Sequence, residues 1–162
     1  MSVCDGTIVP ISVGSNSLCQ GTYTLLDDIV KYLPSPQGRK FAGINVQTSE
    51  IFEADYDFSK PKSAVVWKTI VDPFIGKYSL IKVASGVIKT GDILYNDARD
   101  AEIKISKIYV MCGSKASEVP ELHAGDIGAL AKLDLTRTGD TLSTKVNTIH
   151  YAMMPISTPY TA

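Results

Sequence analysis

The residues best suited to chemistry in this chain are the aspartates of three Gly-Asp pairs: Asp92 in "KTGDIL", Asp126 in "HAGDIG" and Asp140 in "RTGDTL". Carboxylates that work together need a shared pocket and a charged or metal partner, and the sequence supplies neither. Each pair instead comes directly before a strand-like run. There glycine permits a positive φ, and aspartate accepts a hydrogen bond from a backbone amide two residues on. We therefore interpret the three aspartates as turn residues and not as a catalytic set.

The other residues of catalytic type form no recognised motif. His123 and His150 lie 27 residues apart with no cysteine pair or carboxylate at ligand spacing, so no zinc site is predicted. Ser15 and Ser17 lack the Gly-x-Ser-x-Gly pattern of a nucleophile elbow. Neither the Gly-x-x-x-x-Gly-Lys-Ser/Thr phosphate loop nor the Gly-x-Gly-x-x-Gly dinucleotide motif occurs. These patterns predict no catalytic residue, no metal ligand and no phosphate-binding loop.

Composition excludes several classes of protein. The chain has 44% hydrophobic and 20% charged residues and a formal net charge of -1, so it has no global attraction to nucleic acid. Its three cysteines, Cys4, Cys19 and Cys112, include no Cys-x-x-Cys pair, which indicates a reducing, cytoplasmic location without a disulfide framework. No apolar run approaches the roughly 18 residues that a membrane span needs, and the N-terminus has no secretion-signal pattern.

Residues 1–36 predict one strand and one helix. The β-branched run Thr7–Val13 predicts the strand. An apolar stripe predicts a helix over 22–33, with Thr22 capping its start and Pro34 and Pro36 ending it. The stripe consists of Leu25, Leu26, Ile29, Val30 and Leu33. Residues 37–62 follow as a polar, charged linker, in which Ile44 and Ile51 are compatible with a strand that the sequence does not place.

Residues 63–148 change to short β-rich runs separated by turns, with no helical pattern between them. The run "EIKISKIYVM" is the longest of the later strands, and its apolar phase shifts between Ile105 and Ile108 as at a bulge. The pattern predicts a mainly β fold, a small closed or nearly closed antiparallel barrel. Its turns are marked by Gly76, Gly86, Gly91, Asp92, Gly125, Asp126, Gly139 and Asp140.

Basic residues cluster in the predicted barrel, and alternation along the strands would place some of them on one outer face. Two interpretations stay open: an ordinary solvated strand surface, or a face that contacts phosphates. The residues of the cluster are Lys77, Lys82, Lys89, Arg99, Lys104, Lys107 and Lys115.

Two stretches resemble elongation factor G. "GTIVPISVGSNSLCQGTYTLLDDIVKYLPSP" resembles the end of that factor's GTPase domain, where the last strand, a Gly-Ser-Ala turn and a final helix lead to Tyr-Leu-Pro-Ser-Pro. "AVVWKTIVDPFIGKYSLIKVASGVIKTGDILYN", with "AGDI" and "TGDTL" later, resembles its second domain. The matching residues are Lys68, Asp72-Pro73-Phe74, Gly76-Lys77, Ser85-Gly86, Gly91-Asp92 and Asn96.

The resemblance implies a translation-factor β-barrel, domain II, that packs against a GTPase domain and domain III and touches small-subunit ribosomal RNA. The parent protein would bind GTP and Mg, whereas this segment would bind neither alone. Ser15 matches the serine of the family's last guanine-contacting motif, and Asn16 replaces the usual alanine. Lys82 replaces a common arginine, so a bidentate phosphate contact there would become a point contact. The candidate RNA contacts are Lys77, Lys82, Lys89, Arg99 and Lys107.

The resemblance also implies a segment of a longer protein, because the phosphate loop, switches and Asn-Lys-x-Asp motif should precede residue 1. We expect residues 1–36 to be the end of the GTPase domain, and 149–162 to lead into a further domain. We expect helix 22–33 to be loosely held, bound to the barrel, or covered by another copy of the chain. The alternatives are a ribosomal-protection GTPase that removes an antibiotic, a stand-alone barrel that binds a partner, and, more distantly, a flavin enzyme.

Overall fold

The computed structural model describes residues 3, 6–34, 41–72, 76–113 and 115–152. It divides into two compact units, Met1–Gly38 and Arg39–Ala162. The turn that Gly76 was expected to mark lies partly outside the described residues, because they omit 73–75. The final residues 153–162 lie wholly outside them. No helix within the described ranges is both long enough and apolar enough to cross a membrane.

The first unit contains helix α1 (Thr22–Tyr32), one residue shorter than predicted. It begins after Gly21, whose φ of 83° is left-handed, and no side chain caps it, so the predicted cap by Thr22 is wrong. Leu33 is extended because it precedes Pro34, which disfavours helix at that position. No residue of α1 is buried, although its apolar stripe is the one that the sequence predicts.

The predicted strand over Thr7–Val13 is wrong. Described residues 6–14 form no strand, and the only pairing nearby is an isolated antiparallel bridge between Ser15 and Gln20. A β-branched run becomes a strand only where its backbone groups find a partner strand. Among the described residues this run has none, and Val9, Ile11 and Val13 are exposed.

The second unit is mainly β, and its strand pairs are antiparallel. The strands are β1 (Phe41–Asn45), β2 (Ile51–Ala54), β3 (Ser63–Asp72), β4 (Gly76–Ser85), β5 (Val87–Lys89), β6 (Ile93–Asn96), β7 (Ala101–Lys104), β8 (Ile108–Cys112), β9 (Lys115–Val119), β10 (Glu121–His123), β11 (Ile127–Ala131), β12 (Thr141–Ser143) and β13 (Ile149–His150). The largest sheet has the order β7-β6-β12-β3-β4-β11-β8-β9, beside a pair β10-β5 and a small sheet β13-β1-β2.

The order of the largest sheet requires it to curl into a barrel. β7 and β8 stand first and seventh in that order, which in a flat sheet would separate them by about 29 Å. The chain joins them through residues 105–107, a connection that spans at most about 14 Å. The two ends of the sheet must therefore approach each other. The predicted single strand "EIKISKIYVM" is for the same reason two strands, because the chain crosses there from one end of the sheet to the other.

The barrel encloses one hydrophobic core to which strands from both ends of the sheet contribute. Alternation along the strands decides which residues enter it. The paired residues Val66 of β3 and Ile81 of β4 face inward, while the next pair, Val65 and Lys82, faces outward. The other large side chains of this core are Tyr56, Val83, Ile88, Leu94, Ile103, Ile105, Ile108, Leu122, Leu130, Leu133 and Leu142.

The small sheet packs on the outside of the barrel, and it places the strand content that the sequence left open within residues 37–62: Ile44 lies in β1 and Ile51 in β2. Tyr151, just after β13, is buried against Ala84 of the barrel. Its hydroxyl lies 2.7 Å from Ser63 Oγ. Gly43 of β1 lies so close to the Tyr151 ring that an added Cβ would be 2.8 Å from it. Charged neighbours and a glycine hid these short strands from the sequence pattern, and packing on the barrel stabilises them.

Candidate nucleic-acid interface

The three Gly-Asp pairs close three turns of the same kind. Each glycine is the third residue of its turn and has a φ between 93° and 99°, as a type II turn requires. In each, the aspartate amide donates to the carbonyl of the residue three positions earlier, and its carboxylate accepts from that residue's amide. The carboxylate bonds are Lys89 N to Asp92 at 2.7 Å, His123 N to Asp126 at 2.8 Å and Arg137 N to Asp140 at 2.9 Å. The prediction that the donor is an amide two residues after the aspartate is wrong. The carboxylate folds back over the turn and accepts from the amide three residues before it.

The three carboxylates have separate partners and do not form one site. Asp92 is paired with Lys62 at 2.6 Å, and Asp140 is buried and accepts from Asn96 Nδ2 at 2.8 Å. Asp126 is half exposed beside His123. Within the described ranges, no three His, Cys, Asp or Glu side chains are grouped so that they could hold a metal ion.

Two further turn glycines were predicted at the ends of β4. Gly76 and Gly86 both have positive φ, of 92° and 72°. At Gly86 the backbone of Lys60 and Lys62 passes so closely that a Cβ would lie 2.8 Å from the Lys60 carbonyl oxygen. Gly86 therefore permits the segment before β3 to cross the barrel at this point.

Three of the five predicted RNA-contacting cations are held by acids. Lys89 lies 3.0 Å from Glu121, Lys107 lies 2.9 Å from Glu118, and Arg99 lies 3.4 Å from Asp140. The Lys89 hydrogen bond lowers the pKa of Glu121, and the Glu118 hydrogen bond raises the pKa of Lys107. Each of these cations would have to leave or share a carboxylate in order to bind a phosphate.

The other two predicted cations also have contacts. Lys77 donates to the carbonyls of Asp134 and Thr136, which ties the loop after β11 to the start of β4. Lys82 lies over the Tyr56 ring, 5.5 Å from its centroid. Lys77 and Lys82 lie on opposite faces of β4, because they are an odd number of positions, five, apart along the strand. Hence the structure does not gather the five candidates into one patch.

A second set of cations is free. Among the described residues, five basic side chains are exposed and have no ion pair, hydrogen bond or cation–π contact. They are Lys68, Lys104, Lys115, Lys132 and Arg137. Lys104 and Lys115 belong to the predicted basic cluster, whereas Lys68, Lys132 and Arg137 do not. One sequence signal could have pointed to Lys68, namely its position directly after the only tryptophan.

Lys68 and Trp67 lie together at a β-bulge in β3. The pairing of β3 with β4 shifts there, so that Val66 faces Ile81 while Lys68 faces Leu80. The extra residue is Trp67, and the bulge leaves two consecutive residues of the strand exposed where alternation would bury one. Trp67 is 42% exposed.

In the first unit, Ser15 and Asn16 line an open cavity of about 200 Å³ just before α1. Ser15 Oγ lies 3.2 Å from Ser17 Oγ, and the Ser15–Gln20 bridge closes the loop between them. Gly14 and Gly21 approach each other so closely that a Cβ on Gly21 would lie 2.9 Å from Gly14 Cα. The apolar side chains of Val13 and Leu25 also line the cavity, so its wall combines polar groups with apolar surface.

The second unit is thus a small antiparallel β-barrel with free cations and an exposed tryptophan on its surface. The family model for elongation factor G domain 2 matches residues 61–145, which span this barrel. The chain belongs to this family and includes a translation-factor domain of that type. It is also similar to a crystal structure of a protein from Thermus thermophilus, with a TM-score of 0.57 and 28% identity. That match covers 76% of this chain and 16% of the Thermus chain.

Proposed function

We propose that this chain is a segment of a ribosome-dependent translational GTPase of the elongation factor G type, and that its barrel docks on small-subunit ribosomal RNA in the cytoplasm. The family match over residues 61–145 carries the proposal. The segment itself does no chemistry; it couples the GTPase domain to the later domains through its position on the RNA.

The surface of the barrel supports an electrostatic contact with RNA. The free cations Lys68, Lys104, Lys115, Lys132 and Arg137 can meet a phosphate without losing a protein partner. The five predicted cations, Lys77, Lys82, Lys89, Arg99 and Lys107, stay candidates, but each already has a contact. We therefore expect the free set to contribute more to RNA affinity than the engaged set.

Cosedimentation of the 162-residue chain with purified ribosomal subunits tests the proposal. The chain should sediment with small subunits, and affinity should fall as salt rises, with a log–log slope that decreases by about 0.7 to 0.9 for each phosphate contact removed. Replacing Lys68, Lys132 and Arg137 by glutamate should reduce that slope more than replacing Lys89, Arg99 and Lys107. Equal effects of the two variants would overturn the preference for the free set, and no sedimentation would overturn the docking proposal.

We also propose that the longer protein binds GTP and Mg and that Ser15 and Asn16 form one wall of its guanine site. The open cavity before α1, whose wall includes the apolar side chains of Val13 and Leu25, is compatible with a flat base. When bound, magnesium would neutralise phosphate charge, but the loop that positions phosphate and magnesium is absent from these 162 residues. Purified chain with ribosomes should therefore release no phosphate from GTP above the rate of ribosomes alone. Phosphate release that tracks chain concentration would contradict this.

A further inference from the structure

The bulge in β3 and a neighbouring turn bring an exposed aromatic ring and two free cations into one region of the barrel surface. Gly139 N donates to Val66 O at 2.7 Å, and Val66 N donates to Asp140 O at 2.9 Å. Thr69 Oγ1 and Thr138 Oγ1 are 3.1 Å apart. These contacts hold the Arg137–Asp140 turn alongside β3. They are made by Val66, before Trp67 in the strand, and by Thr69, after it.

Charge in this region is positive. Lys68 and Arg137 are exposed and have no ion pair among the described residues. Asp140, the acid of the turn, is 6% exposed and points inward to Asn96, with Arg99 at 3.4 Å. The carboxylate of the turn therefore does not neutralise the two cations beside Trp67.

The Trp67 ring has no polar or aromatic partner among the residues that the structure describes. Within the described part of the chain it makes no ring–ring contact, no cation–π contact and no side-chain hydrogen bond. An indole that is 42% exposed, with one free cation next to it in the strand and another in the turn beside that strand, has the chemistry of single-stranded nucleic-acid sites. In such sites bases stack on aromatic rings and cations contact the phosphates on either side.

We propose that Trp67 stacks on an unpaired base of a single-stranded RNA segment, and that Lys68 and Arg137 contact the adjacent phosphates. This inference rests on the proposed RNA docking and narrows it. An RNA duplex keeps its base faces stacked inside the helix, so the element that meets Trp67 is a loop or bulge. We name this surface, Trp67 with Lys68 and Arg137, the stacking site.

Fluorescence gives a direct test, because Trp67 is the only tryptophan in the chain. Single-stranded poly(A) should quench Trp67 emission at low ionic strength. The duplex poly(A)·poly(U) should bind through its phosphates with little quenching. Equal quenching by the two polymers, or binding of poly(A) without quenching, would overturn the stacking site. This measurement needs no variant, so it does not depend on how a substitution affects folding.

Variants test the same site by affinity for a labelled oligoadenylate, read by fluorescence anisotropy. Trp67→Leu should weaken binding roughly tenfold, whereas Trp67→Phe should keep most of the affinity because it keeps a stacking ring. Lys68→Ala with Arg137→Ala should keep quenching but reduce the salt dependence. Lys145→Ala removes an exposed lysine that is in neither set of candidate RNA contacts, so it is the matched control and should leave quenching unchanged. Wild-type affinity in a folded Trp67→Leu variant, judged by circular dichroism, would overturn the proposal.

The two proposals fail separately. Small-subunit binding that is unaffected by Trp67→Leu would reject the stacking site and keep ribosome docking. Quenching by poly(A), with no binding to small subunits, would keep the stacking site and reject ribosome docking.

Discussion

The three Gly-Asp turns share one local structure but differ in burial, and this difference predicts a graded loss of stability. The side chains of Asp140, Asp92 and Asp126 are 6%, 21% and 51% exposed. Each accepts a hydrogen bond from the amide three residues before it. When the carboxylate is removed, water can replace it at the exposed turn but not at the buried one.

Alanine substitutions should therefore follow the order of burial. Asp140→Ala leaves Arg137 N without its acceptor and removes the shorter of the two bonds from Asn96 Nδ2, inside the barrel, at a cost of about 2 to 4 kcal/mol. Asp92→Ala also loses the Lys62 ion pair and should cost about 1 to 2 kcal/mol. Asp126→Ala, at the solvated turn, should cost about 0.5 to 1 kcal/mol.

Urea unfolding of the 162-residue chain, followed by circular dichroism, measures these differences. Asp140→Asn is the matched control, because its amide oxygen can still accept from Arg137 N and Asn96. It should recover at least half of the loss seen in Asp140→Ala. Three equal losses in the free energy of unfolding, or a larger loss for Asp126→Ala than for Asp140→Ala, would refute the reasoning. Burial would then not decide how much each aspartate contributes to stability.

Two further predictions concern the small sheet on the barrel. Gly43→Ala should cost about 1 to 3 kcal/mol, because its Cβ would lie 2.8 Å from the fixed Tyr151 ring; exposed Ala42→Val is the control and should change little. Burial raises the pKa of Tyr151 to about 12, so stability should fall by roughly 3 kcal/mol between pH 10 and pH 12, where only the unfolded state ionises. Chemical denaturation across that range should show a flatter profile for Tyr151→Phe, and matching profiles would contradict the burial of this hydroxyl.

The barrel could be predicted from the sequence because its signals are local. Glycine at the third position of a turn, aspartate after it and an apolar strand beyond are all within a few residues of one another, as in Gly91 and Asp92. The short link between β7 and β8, which brings the two ends of the sheet together, was not predicted, because the sequence pattern reads as one strand across it. The elements that the sequence misplaced depend on distant partners. The run Thr7–Val13 lacks a described partner strand, whereas β1 pairs with β2 on one side and with β13 on the other.

The state of each cation could not be predicted, because its partner is distant in the sequence. Arg99 and Asp140 are 41 residues apart, and Lys107 and Glu118 are 11 apart. The bulge at Trp67 could not be predicted either, since nothing in "AVVWKTIV" indicates which residue has no partner in the pairing of β3 with β4. Candidate residues chosen by charge alone therefore included those held by acids and omitted Lys68 and Arg137.

Chemical footprinting of small-subunit ribosomal RNA in the presence of the chain tests ribosome docking most directly. We predict salt-sensitive protection of a discrete set of nucleotides that includes unpaired bases, and loss of that protection when Lys68, Lys132 and Arg137 are replaced by glutamate. If the RNA stays unprotected at saturating concentrations of the chain, the docking proposal is contradicted. Protection that persists in the charge-reversed variant would contradict docking through these three cations.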